Sequence, residues 1–137
     1  MSVQDESVGA TGGGAQSLVL IADDRDLDTV EAQLLRVFVG TDQKYHRKPL
    51  YEAIVLAARE RHLAGATVLH GSMGYGAASR IHTAKILRVS EDLPVVVEIV
   101  DTANKIDAFL PIVDGMMDKG LITVETVRVL AYRHGVR

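Results

Sequence analysis

From Ala32 onward the apolar residues fall into runs of two different periods. Leu34, Leu35, Val37, Phe38 and Val39 form a short run closed by Gly40, which reads as a strand. After a polar loop, Thr41 to Lys48, the positions Leu50, Ile54, Ala57, Ala58 and Arg61 recur at helical spacing, with Glu52, Arg59 and Glu60 on the other side. Pro49 suits the first turn of that helix, and Gly65 suits a left-handed residue just past its end. Ala66–His70 is a second β-rich run. Pro94–Val100, nearly unbroken in β-branched residues, implies a strand covered on both faces or central in its sheet. Asp101 or Thr102 caps a second helix, whose stripe is Ile106, Phe109, Leu110, Val113 and Met116 or Met117, with Gly120 as its end. Leu121 to Tyr132 alternates as a last strand through Ile122, Val124, Val127 and Val129.

The order β-α-β-arm-β-α-β predicts an α+β, ferredoxin-like βαββαβ sandwich, with two helices on one face of a four-stranded antiparallel sheet. The arm joins the second and third strands. Between Ser72 and Ser90 it carries Arg80, His82, Lys85 and Arg88 with no carboxylate, and Gly71, Gly74 and Gly76 stand at its root. Residues 1–31 read as an acidic, glycine-rich leader, a flexible tail in which Ser17–Ala22 could at most add an edge strand; residues 32–134 form the folded domain.

A length of 137 residues suits one domain with a real core, and 47% hydrophobic with 24% charged residues is a globular balance. Cysteine is absent, which excludes disulfides and thiolate metal sites. No apolar run approaches the ~20 residues of a membrane span, so the expected location is cytoplasmic. The net charge of −3 conceals an asymmetry, because the leader holds seven acidic residues against Arg25 alone while the rest holds 14 basic and 11 acidic residues. A mildly basic domain suits a small anionic ligand better than duplex nucleic acid. Paired stacking aromatics for RNA are also missing from the central strands.

The spacing Gly71-x-x-Gly74-x-Gly76 is neither a P-loop, for no Gly-Lys-Ser/Thr follows, nor a dinucleotide fingerprint. Its plainer reading is a hairpin bend that needs positive φ. Beside Arg80 and Lys85, its backbone N–H groups could instead cradle phosphate. His70 and His82 would face one another if the arm folds back, but no histidine pair has metal-site spacing on a helix, and no metal ligands are assigned. Ser72, Ser79 and Ser90 lack a nucleophile elbow; no catalytic residue is assigned and no enzymatic activity is expected.

Several motifs occur together in a set order: Arg47-Lys48-Pro49-Leu50-Tyr51-Glu52-Ala53-Ile54, Gly65-Ala66-Thr67-Val68, Gly71 through Gly76 with Ile81-His82, Asp92-Leu93-Pro94-Val95-Val96-Val97-Glu98 with Asp101, and Gly120-Leu121-Ile122-Thr123. In these the chain, over roughly Ala32 to Tyr132, resembles the PII-like family catalogued as domain-of-unknown-function family 190. The resemblance implies a ferredoxin-like subunit that forms a homotrimer and has no known reaction. It also implies a small anionic effector, an adenine nucleotide or a relative of one, held in clefts between subunits. A T-loop, here Gly74 to about Val89, would engage a protein partner such as a membrane transporter or channel. Gly74, Tyr75 and Gly76 are similar to the Gly-Phe-Gly at the base of the PII T-loop, and Arg80 follows them. The candidate binding residues are Gly71, Gly74, Tyr75, Gly76, Arg80, His82, Lys48 and Lys119. The chain departs from PII proteins between the second helix and the last strand, where a glycine-rich loop with a lysine is reduced to Asp118-Lys119-Gly120. Two other readings stay open: a metal-binding trimer of the copper-tolerance type, motivated by His70 and His82, and a ligand-free interaction subunit.

Overall fold

The computed structural model describes residues 30–76, 82–83 and 92–133. In chain order its elements are β1 (Val30–Gly40), the two-residue strands β2 (Lys44–Tyr45) and β3 (Lys48–Pro49), α1 (Leu50–Glu60), β4 (Thr67–His70), the short β5 (Met73–Gly74) and β6 (His82–Thr83), β7 (Pro94–Asp101), α2 (Ala103–Met116) and β8 (Leu121–Val129). The main sheet has the order β4-β7-β1-β8 and is antiparallel throughout. With α1 and α2 packed on one face, this is the expected ferredoxin-like βαββαβ arrangement. The leader, including Ser17–Ala22, and most of the arm lie outside the described residues.

Register follows from which face each apolar residue must occupy. β1 pairs with β7 from Gln33 opposite Asp101 to Gly40 opposite Pro94. That register turns Leu35, Val37 and Val39, with Val95, Val97 and Ile99, onto the helix side, where all are buried. The α1 stripe Leu50, Ala53, Ile54 and Ala58, and the α2 stripe Ile106, Phe109 and Val113, close over them. Each large side chain so buried is worth roughly 1.5–3 kcal/mol.

Paired residues share a face, so the other side of the sheet is also legible from the register. Leu121, Phe38, Val96 and Leu69 make an apolar row across all four strands at one end. The next row is polar, and in it Arg36 donates to Glu98 at 2.8 Å and to Glu125 at 2.9 Å. The hydrogen bond to Glu98, opposed by some desolvation and aided by the charges of Glu98 and Glu125, raises the Arg36 pKa above its ordinary value. The apolar run of β7, broken only at Glu98 before its terminal Asp101, thus has two causes. Its odd positions line the core and its even positions face this second surface.

Loop ends depart from expectation in two places. α1 ends in a six-residue cap: His62 N–H donates to Arg59 O at 3.0 Å and Leu63 N–H to Ala58 O at 3.1 Å, with His62 left-handed at φ 60°. Gly65, expected there, does not have a positive φ. The Thr41–Lys48 loop contains a tight hairpin, β2 and β3, turned by His46 and Arg47 at φ 49° and 72°. Such a turn ordinarily takes Asn or Gly. At α2, Thr102 is the N-cap, accepting from Lys105 N–H at 3.4 Å. Buried Asp101 instead accepts from Thr102 N–H at 2.7 Å and Ala64 N–H at 2.8 Å, tying the start of α2 to the loop after α1.

His62→Gly removes the left-handed penalty and is expected to stabilise the fold by about 1 kcal/mol, seen as a higher urea midpoint at unchanged slope. Gly65→Ala, with nothing within 4 Å of a new Cβ, is expected to change stability by no more than about 0.5 kcal/mol.

Candidate functional site

The C-terminal ends of β1 and β4 and the N-terminal ends of β7 and β8 meet at one end of the sheet, and the arm starts there. Gly71 N–H donates to Pro94 O at 2.8 Å, so the chain leaving β4 is held across the first residue of β7. A Cβ on Gly71 would lie 2.8 Å from Pro94 Cγ, and one on Gly74 would lie 3.0 Å from it. Neither glycine has a positive φ. This corrects the expectation of a left-handed bend: both positions are glycine because backbone passes directly over a proline ring. Met73 and Gly74 then pair with Thr83 and His82, so the outgoing and returning strands of the arm are clamped at its root.

Further contacts brace this end. Thr41 N–H donates to Leu93 O at 3.0 Å and Asp42 N–H to the Asp92 carboxylate at 2.8 Å. Gln43 accepts from Gly40 N–H and donates to Lys119 O, at 2.8 and 3.0 Å, while its own carbonyl receives Leu50 N–H. The Tyr51 ring meets His70 edge to face, with centroids 5.4 Å apart. The start of α1 and the root of the arm therefore lie at the same end of one subunit.

The candidate residues divide accordingly. Gly71, Gly74 and the His82 backbone form the clamp, and Tyr75 and Gly76 follow it, with Tyr75 71% exposed. Lys119 joins the same end through its carbonyl on Gln43. Lys48 instead lines a groove between α1 and α2, on the outer side of the helix layer. Arg80, with Lys85 and Arg88, lies outside the described residues. Pro94, Gln43 and Asp92 are the parts of this site that sequence reading missed. The signal was present for two of them, since Asp92-Leu93-Pro94 is one of the shared motifs, but which backbone Pro94 faces is a tertiary fact. Among the described residues no three His, Asp or Glu side chains gather where they could hold a metal ion.

This fold is that of PII-like proteins. It matches CPII of Thiomonas intermedia K12, a nitrogen regulatory PII-like protein, with a TM-score of 0.51 over 76% of this chain and 92% of that one, at 15% identity. That structure holds ADP, AMP and bicarbonate; another of CPII, with ADP and bicarbonate, gives 0.50 over 76% and 93% at 12% identity. Residues 32–129 match the DUF190 family, described as an uncharacterized ACR, and the chain belongs to it. A UPF0166 protein of Aquifex aeolicus is 42% identical over 101 residues, 74% of this chain and 95% of that protein. One from Methanocaldococcus jannaschii is 29% identical over 101 residues, covering 73% and 93%.

Gly71→Ala is expected to force the arm root off Pro94 and to cost about 1–3 kcal/mol in urea unfolding. Gly76→Ala, with nothing within 4 Å, is the matched control and is expected to be tolerated.

Proposed function

We propose that this protein is a PII-like regulatory subunit. It binds a small anionic effector, an adenine nucleotide, beside the root of the arm, and conveys the bound state to a protein partner through the arm. The observation that carries this reading is the clamp at Gly71, Gly74 and Pro94. It fixes both strands of an arm at its root, so a ligand touching Tyr75 or Gly76 acts on a segment whose base cannot move with it. The kinship of fold with CPII, whose structures hold ADP and bicarbonate, supports an anionic effector. Gly74, Tyr75 and Gly76 would present backbone N–H groups, and Arg80, His82 and Lys119 the positive charge, while Lys48 stands apart in the helix groove. With the connection before β8 reduced to Met117–Gly120, charge from the arm takes a larger share of phosphate binding than charge from that connection.

The working unit in this reading is a homotrimer. Its support is the outer sheet face, where Phe38, Leu69 and Leu121 are 36%, 49% and 55% exposed in one row. An apolar band of that kind on an open sheet marks an association surface. The site beside Tyr75 is then completed by a neighbouring chain.

Isothermal titration with ATP, ADP, AMP, cyclic AMP and bicarbonate tests the effector. Saturable heat with at least one nucleotide is expected, and no heat with any of them at millimolar concentration overturns the reading. Light scattering tests the assembly: the native chain is expected as a trimer, and Phe38→Asp with Leu121→Asp as a folded monomer. A native chain that runs as a stable monomer refutes the trimer.

A further inference from the structure

The groove between α1 and α2 is not part of the arm root, and its chemistry is distinct. Its floor is apolar, formed by Leu56, Ala57, Ile112 and Met116, with Leu56 40% exposed. Its rim is basic: Lys48, Arg59 and Arg61, flanked by His46 and His62, face a single carboxylate, Glu60, which lies 3.7 Å from Arg61. An apolar trough edged by cations fits a segment that carries apolar residues next to acidic ones.

The chain itself contains such a segment. Leu18, Val19, Leu20 and Ile21 are followed by Asp23, Asp24, Asp26 and Asp28, with only Arg25 opposing them. This segment precedes residues 32–129, the stretch that matches the family, so it is an addition to the shared domain. It enters the fold at the right end. Val30 starts β1, and that end of β1 lies beside Asp101, whose carboxylate holds Ala64, just past the C-terminus of α1. Lys105 Nζ donates to His62 O at 2.8 Å at this same corner. The length also suffices. The 12 residues from Leu18 to Thr29 span up to about 40 Å extended. The path across one helix layer, about 10 Å, and along the 11 residues of α1, about 16 Å, is shorter.

The geometry points to the leader of this chain, residues 18–28, as the occupant of the α1–α2 groove. Its apolar run covers Leu56, Ile112 and Met116, and its aspartates meet Arg59 and Arg61. Docked there, the leader excludes any acidic partner segment from the helix face, a built-in competitor. The inference does not depend on which effector binds at the arm root.

Because the chain has no cysteine, Ala22→Cys gives one labelling site for a nitroxide in the full-length protein. The labelled, isotope-enriched chain is diluted into unlabelled chain, so that only the leader of the same molecule is read. The amides of Leu56, Arg59, Ile112 and Gly115 are expected to lose most of their NMR intensity, while those of Phe38 and Val96 on the outer sheet face keep theirs. Arg59→Glu with Arg61→Glu, both exposed positions, is expected to restore the groove signals, and adding Asp23→Lys with Asp24→Lys to remove them again. At about 1 M salt, where screening acts over ~3 Å, the loss is expected to weaken. Groove signals that stay intact in the unsubstituted chain overturn the inference. So does loss centred on the outer sheet face, or loss that survives the double charge reversal.

Discussion

The pairing of β1 with β7 is the constraint from which the other features follow. Eight consecutive residue pairs run from Gln33 opposite Asp101 to Gly40 opposite Pro94. Because side chains alternate strictly along a strand, this one register selects every residue that enters the core and every residue that faces away from it. A slip of β1 by one position would bury Arg36 and expose Leu35, Val37 and Val39. The two ends of the ladder then become two corners of different character. At one, Asp101 is buried and accepts two backbone N–H groups; at the other, Pro94 offers a flat ring over which backbone can pass.

Those corners divide the labour of the fold. The Asp101 corner ties the start of α2 to the loop after α1, and Tyr132 reinforces it by donating to Ala64 O at 3.1 Å. Its carboxylate serves structure, since its oxygens are occupied by Thr102 and Ala64. The Pro94 corner leaves the chain exposed as soon as it has been anchored, so Tyr75 stands in solvent directly beyond the clamp.

The two broad surfaces differ just as plainly. The outer sheet face puts an apolar row next to the Arg36–Glu98–Glu125 network, whose exposed ion pairs add little stability but set which surface can lie against them. The helix face carries an apolar trough with a basic rim. Its start is shaped by the His46–Arg47 turn, a strained conformation for both residues that holds Tyr45, His46 and Lys48 at the mouth of the groove.

Periodicity alone was enough for the four main strands, both helices and their order, because burial rewards the same spacing wherever the core lies. It also marked the arm and the glycines at its root. The clamp itself was not legible. Gly71 and Gly74 looked like residues chosen for turning, whereas contact with Pro94, far along the chain, is what excludes a side chain there. Likewise Gly65 had the better propensity for a helix cap, yet the hydrogen bonds from His62 and Leu63 placed the left-handed residue three positions earlier. His46 and Arg47 gave no turn signal at all. The basic residues Lys48 and Lys119 could be grouped by charge, but one opens on the helix groove and the other is held at the sheet end by Gln43. Local spacing carries information about which face a residue occupies. Which backbone it meets across that face depends on strand order and register, and those exist only once the sheet has formed.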